Sequence, residues 1–271
     1  MLRNGLEKES PAVPNRFRFV VPARRRIIGI VAKNPNPYGL EIIESCVNCP
    51  YREDRLFCNL SPPALERLAS ITSPASYPKG ATLFVEGQAP RGVFIICEGH
   101  VKLSTSSADG KTLIVRIAEP GDVLGVPASV SGKPYEVTAE VLDPVQANFI
   151  ARQNFLAFLH DHSDAAVRIA EQLSETYHSA FAEMRTIGLS HSAEEKFARF
   201  LLDWSADHHK EKGPLRLKLS LTHEEIAQMI GASRETVTRL FADMKKRRIL
   251  QMKGSTLVIS DLATLEKLAR S

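Results

Sequence analysis

The amino-acid sequence predicts a mixed α+β molecule: an antiparallel β-roll (jelly roll), then one long helix, then a C-terminal winged helix-turn-helix. Three observations carry this. Between Tyr77 and Ile150 short β-branched and aromatic runs are punctuated by glycines; from Ala166 to Ile187 apolar residues recur at steps of four and three; from Leu221 to Met244 two amphipathic patterns flank a glycine. A chain of 271 residues fits two domains of ordinary size better than one.

Taken in order, residues 1–45 mix five prolines with arginine clusters and show no sustained period. They read as a disordered basic tail with at most a short strand over Arg16–Val21. Ser61-Pro-Pro followed by Leu65, Leu68 and Ala69 supplies a cap, a proline in the first turn and an apolar stripe, hence a short helix. Strands are expected over Thr82–Val85, Val93–Ile96, Val101–Ser104, Thr112–Ile117, Val137–Val141 and Ala147–Ile150, with a hairpin at Asp109-Gly110. They place a β-roll unit at 46–157.

Ala166, Ala170, Leu173, Tyr177, Ala180, Met184 and Ile187 follow the spacing of a two-stranded coiled-coil seam. A stripe of this kind must be buried on its own domain or on a copy of itself, and its length favours a dimerisation helix over 158–188.

The remaining residues, 189–271, are helix-rich. Ser192-Ala-Glu-Glu195 and Thr222-His-Glu-Glu225 both match the capping box. The helix after Thr222 has Ile226, Ala227 and Ile230 on one side, Gly231 permits a sharp turn, and Ser233 caps a second helix. On that helix Val237, Leu240, Phe241 and Met244 share one face, while Arg234, Glu235, Thr238 and Arg239 share the other. Arginine offers guanine a two-pronged donor fork and glutamate accepts from cytosine N4, so the second face has the chemistry to read base edges. Thr222, Ser233, Thr236, Lys245, Arg248 and Lys253 are candidate phosphate contacts, within a basic run that also holds Lys246 and Arg247. Ile249–Met252 and Leu257–Ile259, joined through Lys253-Gly254, read as the hairpin of a wing.

Charge is uneven. The net value is only +4, from 35 basic and 31 acidic residues, yet residues 231–253 carry seven basic side chains against Glu235 and Asp243. No apolar run approaches the roughly 18–20 residues needed to cross a bilayer, so no membrane partner is expected. Four cysteines in a chain of this length, with no secretory signal, point to the cytoplasm rather than to a disulfide scaffold. No Ser/His/Asp set, carboxylate pair or phosphate-cradling glycine loop stands out, so an enzyme is not expected.

Gly231-Ala-Ser-Arg-Glu-Thr-Val-Thr-Arg239, with the order of parts over residues 46–270, resembles the Crp/Fnr family of bacterial transcription regulators. The resemblance implies a cyclic-nucleotide-binding-like β-roll and a homodimer. It also implies double-stranded DNA with a GTGA-like inverted repeat, Arg234, Glu235 and Arg239 as base readers, and RNA polymerase as a further partner, as for an activator. The family's nucleotide-binding turn reads Gly121-Asp-Val-Leu-Gly125-Val126-Pro127 here, with Val126 in place of its glutamate; Tyr135-Glu136 stand where its Arg-Ser pair binds phosphate. Cyclic AMP is therefore not expected, because a buried phosphate would lack its arginine.

Cys46, Cys49 and Cys58 form a C-x2-C-x8-C pattern, with Cys97 in an alternating strand further on. Four thiolates can hold an iron–sulfur cluster or tetrahedral zinc, and the pattern resembles the oxygen-sensing Fnr branch. That branch has five residues between its second and third cysteines, and its fourth falls near Val145 in this chain. Reversible Cys46–Cys49 chemistry and inert, buried cysteines are the other readings, the last favoured for Cys97 as a small hydrophobe. His160, His162, His208 and His209 lie beside helix ends and read as solvated surface. A reading of a different class has an iron–sulfur or thiol redox-sensing protein whose helix-turn-helix serves protein contacts.

Overall fold

In the computed structural model the described residues are 38–40, 43, 45–189, 192–205, 215–219 and 221–270. The expected tail and the Arg16–Val21 strand fall almost wholly outside them.

A 3₁₀ turn, Arg52–Asp54, precedes helix α1, Pro62–Ile71. Its predicted stripe holds: Leu65 and Leu68 are buried. Ser61 occupies the cap but its side chain makes no capping bond; its N–H instead donates to Asp164 Oδ2 at 2.9 Å. Eight strands then build the roll: β1 Ser73–Tyr77, β2 Thr82–Phe84, β3 Gly92–Glu98, β4 Val101–Ser106, β5 Thr112–Ala118, β6 Val123–Leu124, β7 Thr138–Val141 and β8 Val145–Ala151. They form two antiparallel sheets of order β1-β8-β3-β6 and β2-β7-β4-β5. Two strands lie beyond the expected six. β1 carries Pro74 and little β-branching, and β6 is only two residues long, so both owe their existence to a neighbouring strand rather than to local propensity. A short helix α2, Val126–Ser131, also replaces part of the expected turn, opening after a left-handed Gly125.

Alternation along β3 sorts two cores. Phe94 and Ile96 point between the sheets, with Phe84, Leu124, Tyr135, Val141 and Ala147. Val93 and Ile95 point outward, beneath Phe57, α1 and the helices that follow β8. Those helices are α3, Arg152–Asp161, and α4, Ser163–Leu189, separated by an extended His162. The 158–188 segment thus spans the end of α3 and nearly all of α4.

The C-terminal part comprises α5 Ala193–Ser205, β9 Leu215–Lys218, α6 His223–Ile230, α7 Arg234–Lys246, β10 Leu250–Lys253, β11 Thr256–Ile259 and α8 Leu262–Leu268. The wing is a three-stranded sheet of order β10-β11-β9. Its aromatic and aliphatic core, including Phe197, Leu201, Trp204, Ile226, Val237 and Phe241, continues into Ile114, Ile117 and Leu142 of the roll. β5 and α6 pack against one another at that join.

Candidate nucleic-acid interface and cysteine neighbourhood

Local chemistry builds the helix-turn-helix. Thr222 Oγ1 accepts from Glu225 N–H at 3.2 Å and Glu225 reaches back to the Thr222 N–H at 2.8 Å, the full capping box. Gly231 closes α6 in the left-handed region at φ 65°, which a side chain would resist, and Ser233 Oγ accepts from Thr236 N–H at 3.2 Å to start α7. The other capping box is formed at least on the serine side, where Ser192 Oγ accepts from Glu195 N–H at 3.0 Å; the Glu195 carboxylate pairs with Arg199.

α7 divides as expected. Val237, Phe241 and Met244 are buried, and Arg234, Glu235, Thr238 and Arg239 are exposed on the opposite side. Its own backbone N–H, and then the Ser233 hydroxyl, hold the Glu235 carboxyl below its ordinary range, so it stays an anionic acceptor. Thr238 is less free than its spacing suggests: its hydroxyl donates to the Arg234 carbonyl at 2.9 Å and lies 2.9 Å from His223 Nδ1. The His223 ring stacks on Phe241 at 4.8 Å. The Thr222, Ser233 and Thr236 hydroxyls all take part in cap hydrogen bonds.

Lys245, Arg248 and Lys253 are exposed, the last at the wing turn. Arg247, in the same basic run, is held by ion pairs. It pairs with Glu194 of α5 and Asp243 of its own helix, and these partners raise its pKa above the usual arginine value. It therefore ties α7 to α5.

Along α4 the seam splits. Ala165, Ile169 and Gln172 are buried on the roll, and Leu173 packs partly there. Ala170 and Ala180 are exposed and Ala166 is half-buried, whereas Tyr177 and Met184 are 66% and 68% exposed, a degree unusual for large apolar groups. Phe181 and Val167, outside the seam, are also exposed, at 54% and 55%. The Ile187 side chain lies outside the described ones.

The nucleotide-pocket positions are filled from within. Val126 is fully buried. Tyr135 stacks on Phe84 at 4.1 Å; its hydroxyl donates to the Gly92 carbonyl at 2.8 Å and accepts from the Arg91 and Gly92 N–H groups at 3.1 and 3.3 Å. Such a stack adds about 0.5–1.5 kcal/mol beyond burial. Glu136, by contrast, is exposed.

The four cysteines converge. Cys97 is buried at a register shift of β3, where it interacts with the other three cysteines and Arg55, and Cys46 and Cys58 pack at the edge of the core that holds Val93 and Ile95. Burial pushes the Cys58 and Cys97 thiols up to about 12, and for Cys97 the charges of Cys46, Cys58 and Cys49 add to it while Arg55 opposes. Cys46 is raised too, by burial and then by Cys49. Val145 does not supply a fourth sulfur, but the same strand carries Asn148, whose amide donates to Cys46 Sγ at 3.3 Å. Among the described residues no three His, Cys, Asp or Glu side chains stand at metal-holding spacing, so the thiols as placed here do not fit a metal or cluster without rearrangement. His160 is solvated beside Asp161, and His208 and His209 lie outside the described residues. No helix among the described residues is long and apolar enough to cross a membrane.

Residues 195–268 match the Crp-like helix-turn-helix domain and residues 74–162 the cyclic nucleotide-binding domain. The chain is 28% identical over 216 residues to the CRP-like cAMP-activated global transcriptional regulator of Mycobacterium tuberculosis, covering 79% of this chain and 96% of that protein. It is 27% identical over 225 residues to the nitrogen fixation regulation protein FixK of Bradyrhizobium diazoefficiens, covering 83% and 93%. FixK2 from Bradyrhizobium japonicum shares the fold with a TM-score of 0.64 at 22% identity, over 73% of this chain and 97% of that one. The c-di-GMP responsive regulator CLP of Xanthomonas campestris does so at 0.65 and 17%, over 74% and 99%.

Proposed function

Since the chain belongs to the Crp/Fnr family of transcription regulators, DNA-binding proteins rather than enzymes, we propose that it acts as a homodimer on an inverted repeat with GTGA-like half-sites. Arg234, Glu235 and Arg239 read base edges. Lys245, Arg248 and Lys253, with the capped starts of α6 and α7 at Thr222, Ser233 and Thr236, set the register on phosphates. The observation that carries this is the exposed face of Arg234, Glu235 and Arg239 on a helix whose other face buries Val237, Phe241 and Met244. A two-fold dimer joined along Ala166–Met184 of α4 would present two such helices about 34–36 Å apart. RNA polymerase is the further partner of this reading. Domain limits of 46–157, 158–188 and 189–271 belong to it as well.

Arg239→Ala tests it: specific operator affinity should fall by about 1–3 kcal/mol by fluorescence anisotropy, with the dimer intact in sedimentation. Unchanged affinity for the selected site removes Arg239 from the readers.

The signal enters, in this proposal, at Cys46, Cys49, Cys58 and Cys97 rather than at a nucleotide pocket. The convergence of the four thiols supports it, as does the Tyr135 plug. Purification without oxygen, followed by absorbance and iron, sulfide and zinc assays, separates a bound cluster or metal from thiol chemistry. Selection of bound DNA with and without oxygen returns the half-site and the dependence together.

A further inference from the structure

The turn between β5 and β6, residues 119–122, and Val123 at the start of β6 are gripped from four directions. From β3, Ile96 N–H donates to the Asp122 carbonyl at 2.9 Å and the Ile96 carbonyl accepts from Gly121 N–H at 2.8 Å. From the cysteine segment, the Arg55 stem lies so close to Gly121 that a Cβ there would stand 3.0 Å from Arg55 Cγ, while the guanidinium donates to the Cys97 carbonyl at 2.7 Å. From β5, Arg116 pairs with the Asp122 carboxylate, which also accepts from Glu119 N–H at 2.8 Å. From α4, the Gln172 carboxamide accepts from Val123 N–H at 3.1 Å and donates to the Val123 carbonyl at 2.9 Å.

The last contact is chemically particular. β6 is an edge strand of two residues, and Gln172 and Val123 are both buried. Away from water an unpaired backbone group there would go unsatisfied, at a cost in stability. A carboxamide alone among long side chains offers an acceptor and a donor in the geometry of a peptide unit; glutamate could only accept and lysine only donate. Gln172 therefore continues the sheet by one step and welds α4 to it.

We propose that this turn passes the state of the cysteine face to the long helix, with Gln172 as the positioning residue that couples them. The inference rests on the thiol-sensing reading above. Cys97 sits at a register shift between β3 and β8, and Arg55 links its carbonyl directly to the turn. A change at the thiols that moves β3 moves Val123, and with it Gln172 and α4. On the other side Arg116 belongs to β5, whose Ile114 and Ile117 pack into the DNA-binding core. One short turn thus touches sensor strand, long helix and the strand on which the DNA-binding part leans. A two-residue edge strand held by its neighbours has little pairing of its own to resist such motion.

The test compares operator affinity of protein prepared without oxygen and of the same protein after exposure to air, for the native chain, Gln172→Leu and Gln172→Glu. The native chain should show a ratio on the order of 10-fold between states. In Gln172→Leu the ratio should collapse to within about twofold with the dimer intact, and in Gln172→Glu, which keeps size and acceptor but loses the donor, it should fall partway. A purely structural glutamine would lower melting temperature and both affinities together and leave the ratio as it was; that result overturns the inference alone. A native ratio of one overturns the thiol-sensing reading, and this inference with it. Gln172→Glu carries the comparison where Gln172→Leu does not fold.

Discussion

Arg248 holds a left-handed backbone, φ 61°, the one non-glycine with positive φ among the described residues. It closes α7, where its N–H donates to the Lys245 carbonyl and the Ile249 N–H to that of Met244. Glycine fills this position without the Cβ clash that costs other residues roughly 1 kcal/mol. Arg248→Gly should therefore stabilise the fold, by up to about 1 kcal/mol in urea titration, while weakening binding to all DNA alike and lowering the salt slope by about one. Stability that falls instead would show that the strain is not there. The exposed face of α7 proposed to read bases was legible because caps, turn glycine and helical period are all local signals. Arg247 was not: its partner Glu194 lies 53 residues away, and nothing near Arg247 announces it.

At the scale of elements, α4 combines two surfaces. Ala165, Ile169 and Gln172 belong to the roll; Tyr177, Phe181 and Met184 remain more than half exposed. The four–three stripe was readable, but which part of it the roll would claim was not, because that depends on where β6 and α3 end in space. Phe181 escaped the stripe for the same reason: a seam template records period, whereas exposure also reflects what packs beside the helix. Replacing Tyr177 and Met184 together by Glu keeps helix propensity and places like charges across the proposed seam. Sedimentation should shift from dimer to monomer, and operator affinity should fall on the order of 10²-fold or more, as expected when two tethered half-site contacts become one. A dimer that survives would put the interface elsewhere. Strands β1 and β6 and helix α2 were missed because each is short and held by partners distant in the chain.

Across the whole molecule, the buried thiols set an alkaline limit. Cys58 and Cys97 have pKa values of about 12 when folded, above a reference of 9.0, so the native state binds more protons than the unfolded one between those values. The stability this represents is complete below about pH 9 and is lost as pH rises toward 12. Reduced, chelator-treated protein should show a urea midpoint that drops over this interval, and Cys97→Ala should flatten the drop. A flat native profile would place both thiols in water.

The sequence by itself determined the β-roll, the long amphipathic helix, the capped helix-turn-helix and the chemistry of its outward face, since each rests on residues within a turn or two of one another. Only the tertiary structure decided that Cys97 faces the other three cysteines, that Tyr135 fills the roll, that Gln172 completes an edge strand and that the DNA-binding core runs into β5. Those contacts join positions tens of residues apart, and burial and directed hydrogen bonds acquire meaning only after the chain has brought such positions together.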